Sequence, residues 1–178
     1  MKILRTAYDL FQKKGYDNVS IGEICASVGI TKPTFYHYIH SKDDLLTSFY
    51  QELNETLPEK IQEEASTGSN YFEQIKNVFD AIYSQSIEFG PELYSQLFIS
   101  NLKEDKGTFD ATDNLTREMT ALFKKAQASG QIKHRGDPGA LYLICSKLCF
   151  GYGVTWCLDN GKGDLLEEFH HALEVLLT

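Results

Sequence analysis

Apolar residues recur at intervals of three and four from one end of this chain to the other, and no stretch sustains the alternation of a half-buried strand. That spacing restricts the chain to an all-α fold. Ile3, Leu4, Ala7, Tyr8, Leu10 and Phe11 make the first apolar face, and Gly15 stands where a left-handed residue ends a helix. With 178 residues, the chain can bury one medium core, or the core of a small head beside that of a larger body. Apolar residues at 42% and charged residues at 24% exclude intrinsic disorder.

Helix punctuation divides the chain further. Ser20 and Glu23 form a capping box, the hydroxyl accepting the Glu23 amide proton while the carboxylate reaches back to the cap. The helix that follows turns Ile24, Cys25 and Val28 inward and stops at Gly29. Thr31 caps a third helix, and Pro33 falls in its first turn, where a missing N–H costs little. Two short helices joined by a glycine-containing turn of three to four residues have the spacing of a helix-turn-helix.

Ser41 opens a fourth helix with Asp43 and Asp44 in its first turn and Leu45, Leu46, Phe49, Tyr50, Leu53 and Leu57 as its buried stripe. Pro58 is expected to kink or end it, leaving the polar run 59–70 as a helix tail or connector. Tyr71 to Tyr83 carries a broad apolar face closed by Gly90 and Pro91, and helices over 92–102 and 115–129 follow. Asp137 and Pro138 then open a long helix to about Leu158 that is apolar nearly all round, apart from Lys147. A last helix sets Leu165, Phe169, Leu173 and Leu176 opposite Glu167, Glu168, His171 and Glu174, which brings the total to about nine. Two adjacent C-terminal helices with this much apolar surface suggest a four-helix interface with a second copy; a purely intramolecular core is the alternative.

Charge separates the two parts. Residues 1–50 hold six Lys/Arg against five Asp/Glu, and the remainder holds 11 against 20. An acidic body repels phosphate, so any contact with nucleic acid falls to the first 50 residues.

Within that head, Ile24 to Leu46 is decisive. The first turns of a helix opened by Thr31 project Thr31, Lys32, Thr34, Tyr36 and His37 outward, while Phe35 and Ile39 face the neighbouring helices. Such hydroxyls and planar donors suit the base edges and phosphates of a major groove. Lys32 would contact phosphate or a guanine edge, and Thr34 and His37 would read bases. Tyr36 and Tyr38 would anchor phosphates. Lys42 with the amides opening the fourth helix would bind another phosphate, and Ser20 likewise. Taken singly, these tyrosines read equally as packing residues and the lysine as a solvated one.

The segment resembles the DNA-binding head of the TetR/AcrR family of repressors. The matching residues are Ala7, Leu10, Phe11, Gly15 and Tyr16, then Gly29, Ile30, Thr31 and Lys32, then Phe35, Tyr36 and Tyr38, then Ser41, Lys42, Asp44 and Leu45. Pro33 departs from a position that is often glycine in that family. The resemblance implies a three-helix DNA-binding head over residues 1–46 and an effector-binding and dimerisation body over 47–178. It implies a homodimer joined through the two C-terminal helices on a palindromic double-stranded operator, released by a small apolar or aromatic effector. It also implies a pocket among the middle helices, with Phe79, Tyr83, Tyr94, Phe98, Phe123, Cys145, Cys149 and Tyr152 as the candidate lining. Aromatic residues at helical spacing also serve as plain core.

Other chemistry finds little support. No nucleophile elbow, phosphate loop, zinc-binding Cys-x-x-Cys or metalloprotease helix motif is present, so no catalysis, metal or cofactor is expected. Cys145, Cys149 and Cys157 could form a thiol sensor, but small buried thiols pack as hydrophobes. With four cysteines in apolar helical patterns and no signal peptide, a reduced cytoplasm is the expected location. Residues 140–158 approach membrane-span length, yet Lys147 at the centre and Ser146, Gly151 and Thr155 around it favour a core helix, with no membrane partner.

Overall fold

A computed structural model describes residues 2–55, 57–110 and 113–178. The described residues contain no strand. They form α1 (Lys2–Lys14), α2 (Ile21–Val28), α3 (Lys32–Tyr38), α4 (Lys42–Asn54), α5 (Leu57–Thr67), α6 (Tyr71–Phe89), α7 (Pro91–Lys103), α8 (Asp113–Ala128), α9 (Pro138–Leu158) and α10 (Leu165–Leu177). These helices group into two compact units, Met1–Glu55 with Phe89–Thr108, and Thr56–Glu88 with Phe109–Thr178.

In the first unit the helix starts follow the caps. Ser20 Oγ accepts from Glu23 N at 3.2 Å, Thr31 Oγ1 from Thr34 N at 3.3 Å, and Ser41 Oγ from Asp44 N at 2.9 Å. Gly29 takes φ +82° and returns its N–H to Cys25 O, the left-handed stop that α2 needs before the chain turns into α3. The Glu23 carboxylate, expected to reach back to the cap amide, instead pairs with Lys14 at the end of α1 and so ties α1 to α2. Leu4, Ala7, Phe11, Ile24, Cys25, Phe35, Leu45, Leu46 and Phe49 make the core. Helix α7 completes it with Leu93, Tyr94, Leu97 and Phe98, all buried. The side chain of Leu53, expected in this stripe, lies outside the described residues.

The second unit holds α5, α6, α8, α9 and α10. The polar run expected as a tail or connector is a helix of its own, α5, because Pro58 sits in its first turn, where proline is compatible with helix. Phe169, fully buried, is the centre of this core, with the rings of Phe79, Tyr83 and Tyr152 at 5.0, 5.3 and 5.9 Å. Lys133 N donates to Leu177 O at 2.8 Å and closes the end of α10. Helix α9 buries Leu141, Tyr142, Cys145, Cys149 and Gly153 on one side and leaves Leu143, Ile144, Phe150 and Leu158 exposed on the other. Among the described residues it is the one helix long and apolar enough to cross a membrane by length and composition. The apolar stripe of α10 faces inward, so its outer face is mostly Glu167, Glu168, His171 and Glu174, with Val175 among them.

Candidate nucleic-acid interface

Helix α3 spends one side chain on the core. Phe35 is fully buried and anchors the helix, while Lys32, Thr34, Tyr36, His37 and Tyr38 are exposed, as is the cap Thr31. Tyr36 is 48% and Tyr38 69% exposed, unusual for two aromatic rings only two residues apart. Neither ring dangles. Tyr36 stands edge-on to Phe35 at 5.5 Å and Tyr38 edge-on to His37 at 4.8 Å. The Thr31 and Thr34 hydroxyls lie 2.8 Å apart. The surface therefore presents hydroxyls, an imidazole and an ammonium on a short helix fixed by its cap and by Phe35.

Lys32 reaches back across α2. A Cβ placed on Gly22 would lie 3.3 Å from Lys32 Cε and 3.7 Å from both Lys32 Nζ and Ser20 Oγ. The ammonium, the exposed Ser20 hydroxyl and the first amides of α2 thus share one small region, a natural place for an anion. Gly22 was not among the residues expected to matter. The one signal for it in the sequence is a glycine two places after a cap, where alanine would make a better helix. Gly22→Ala is expected to leave stability unchanged or raise it by about 0.5–1 kcal/mol, through the gain in helix propensity. It should also push Lys32 aside and weaken DNA binding several-fold, which thermal melts and fluorescence anisotropy on one sample would show.

Lys42, expected to hold a phosphate, is engaged within the chain. Its ammonium donates to Tyr16 O at 2.7 Å and to Val19 O at 3.1 Å, and lies 4.1 Å from the Tyr16 ring centroid. It braces the turn between α1 and α2 against the start of α4, with one N–H left over. The Tyr16 hydroxyl donates to Asp43, and burial, then this bond, raises the pKa of the phenol and keeps it protonated.

The eight candidate effector residues are divided between the two units. Phe79, Tyr83, Phe123, Cys145, Cys149 and Tyr152 belong to the second unit, where the Tyr83 hydroxyl donates to the Cys149 carbonyl. Tyr94 and Phe98 belong to the first, packed 4.6 Å from each other on α7, with Tyr94 6.1 Å from Tyr50 of α4. Burial pushes the thiols of Cys145, Cys149 and Cys157 up to about 12. The thiolate fraction is then roughly a thousandfold below that of a free cysteine. Iodoacetamide at neutral pH is expected to label these three thiols slowly in the native chain and fully in urea, as peptide mass spectrometry would show. Among the described residues no group of three or more His, Cys, Asp or Glu could hold a metal ion.

The family model for bacterial regulatory proteins of the tetR family matches residues 3–49, which carry the whole exposed surface just described. Over its full length the chain is 22% identical to the fatty acid metabolism regulator protein of Bacillus subtilis (strain 168), of which it covers 93%. Its fold matches Thermus thermophilus FadR, described as a transcriptional repressor in complex with lauroyl-CoA. The TM-score is 0.72 at 21% identity, covering 98% of this chain and 91% of that one. It also matches Bacillus subtilis FadR in complex with stearoyl-CoA, with a TM-score of 0.59 at 20% identity, covering 100% and 97%. Residues 3–49 thus carry the DNA-binding head of the bacterial regulatory proteins of the tetR family, and the chain as a whole has the fold of the TetR-family regulators it is compared with.

Proposed function

We propose that the chain is an effector-released repressor of the bacterial cytoplasm that binds a palindromic operator as a homodimer. The observation that carries this reading is α3, whose polar and aromatic side chains stand exposed around a single buried anchor, Phe35. Thr34 and His37 read base edges, Tyr36, Tyr38 and Lys32 hold phosphates with Ser20 and Thr31, and Lys42 supports them from within. Residues 1–46 do the reading, and 47–178 sense the effector and dimerise. Helix α9 supplies most of the dimer surface. Leu143, Ile144 and Leu148 with Lys147 line a shallow depression of about 360 Å³ on its outer side, a face that suits a second copy. Helix α10 adds less, since its outer face is charged.

The effector we assign is a long-chain acyl thioester of coenzyme A. Support comes from two relatives of like fold that hold lauroyl-CoA and stearoyl-CoA, and from the apolar, aromatic interior of the second unit, where Phe79, Tyr83, Phe123 and Tyr152 stand. Coupling of about 1–3 kcal/mol between acyl chain and operator suffices for a switch. The test is a gel shift on DNA flanking the chain's own gene. A specific low-salt complex should form and should dissolve on titration with lauroyl-CoA but not with free coenzyme A. A complex indifferent to every acyl-CoA chain length sinks the effector, and absence of any specific complex sinks the repressor.

A further inference from the structure

Helix α7 is distant in sequence from the DNA-reading surface, yet it grips the parts that support it. At its start, the Glu92 carboxylate accepts the backbone N–H of Tyr16 at 2.7 Å, in the turn between α1 and α2. Gly15 admits it: at φ +82°, a Cβ there would lie 3.1 Å from Glu92 Oε1. Nearby, Gln12 Nε2 donates to Phe89 O at 2.9 Å. Beyond its other end, the Lys106 ammonium pairs with Asp44, and Lys103 Nζ lies 3.7 Å from Asp43 Oδ2. Both aspartates stand in the first turn of α4.

These two ends are not equivalent to ordinary surface pairs. The Lys106 side chain is only 19% exposed, and Asn101 prepares its loop by accepting Lys106 N at 3.2 Å while donating to Leu97 O and Thr108 Oγ1. The Asp44 carboxyl is held below the usual carboxylate range, chiefly by the Lys106 bond. Between the ends lie two buried hydroxyls, Thr47 Oγ1 one turn past Asp43 and Ser100 Oγ one turn before Lys103, neither with a hydrogen-bond partner among the described residues. Apolar packing along the seam joins α7 to α4 without fixing their register, and the two orphan hydroxyls add nothing to it, so the polar contacts at the ends are the directional ones. Tyr16 meets both ends, its amide at Glu92 and its hydroxyl at Asp43. The chain enters this grip from α6, which ends at Phe89, and leaves it at Thr108. The next residue, Phe109, packs edge-on to Phe150 of α9 at 5.2 Å.

We infer that Glu92 and Lys106 are positioning residues for DNA binding, the two ends of a polar clasp by which α7 sets the placement of α4 and the α1–α2 turn, and through them of α3. The inference rests on α3 being the DNA-reading helix. It assigns neither residue a contact with DNA.

The full chain, the charge-reversed variants Lys106→Glu and Asp44→Lys, and the double reversal test it, with the conservative Lys106→Arg alongside. The probe is a duplex selected from a random pool by the unaltered chain, and affinity is read by anisotropy over a series of salt concentrations. Each single reversal is expected to weaken binding at least roughly fivefold, and the double reversal and Lys106→Arg to restore it to within about threefold. The slope of affinity on salt should stay unchanged, since no phosphate contact is lost. Tighter binding by Asp44→Lys, or a double reversal that folds but does not recover, overturns the clasp. If a reversal fails to fold, Lys106→Met and Glu92→Gln decide the question: weaker binding at an unchanged salt slope supports the clasp, and undiminished affinity or a reduced slope overturns it. Should the unaltered chain select no duplex at all, the DNA-reading assignment of α3 fails and takes the clasp with it. Variants that bind as the unaltered chain does defeat the clasp alone.

Discussion

Phe169→Ala is expected to lower folding stability by about 3–5 kcal/mol, the range for truncating a fully buried phenylalanine. Phe169 has no exposed surface, and the rings of Phe79, Tyr83 and Tyr152 meet it edge-on from α6 and α9. Tyr83 cannot swing into the space without giving up its hydrogen bond to the Cys149 carbonyl, so the cavity would persist rather than collapse. Against a total stability of about 5–15 kcal/mol, such a loss brings the second unit near its unfolding threshold. Urea melts followed by circular dichroism should show a much lower midpoint. Leu102→Ala, at a side chain 86% exposed, should change stability by less than about 0.5 kcal/mol. A loss below about 1 kcal/mol at Phe169 would mean that the second unit's core is not organised around that ring.

The second large effect concerns binding alone. Replacing Tyr36 and His37 together by alanine removes two exposed side chains of α3 and leaves Phe35 in place. Each lost DNA contact costs about 1–3 kcal/mol, and a homodimer loses each one twice. Operator affinity should therefore fall by at least roughly a hundredfold. Stability should stay within about 0.5 kcal/mol, because neither side chain belongs to the core. Phe35→Ala separates the two kinds of effect, since it should lose folding and binding together. A double variant that melts early would show Tyr36 and His37 to be packing residues.

Local features of the sequence foretold local features of the structure. Ser20, Thr31 and Ser41 each act through a hydrogen bond to an amide three residues on, and Gly29 through its own backbone angle, so each could be read from its neighbours. The outward set on α3 follows from helical period once Phe35 is taken as the anchor. Long-range partners left no such trace. Glu92 meets a backbone N–H 76 residues earlier, and Lys42 meets carbonyls 26 and 23 residues earlier, where the sequence offers only a lysine after a cap. The sequence does not show which helix Tyr94 and Phe98, read as pocket aromatics, pack against; α7 lies on α4, and both rings are buried in the first unit. Pro58 read as the end of the fourth helix, and α4 does end before it, at Asn54; the sequence did not reveal that proline would then fall in the first turn of a further helix, α5.

Hydroxyl-radical footprinting at low salt, on a duplex selected by the unaltered chain, tests the role of α3 most directly. Two protected half-sites should appear with centres about one helical turn, ~34–36 Å, or a whole multiple of it apart. The Tyr36 and His37 double variant, still folded, should lose both. Protection that survives in that variant, or that follows no half-site spacing, would contradict α3 as the reading helix.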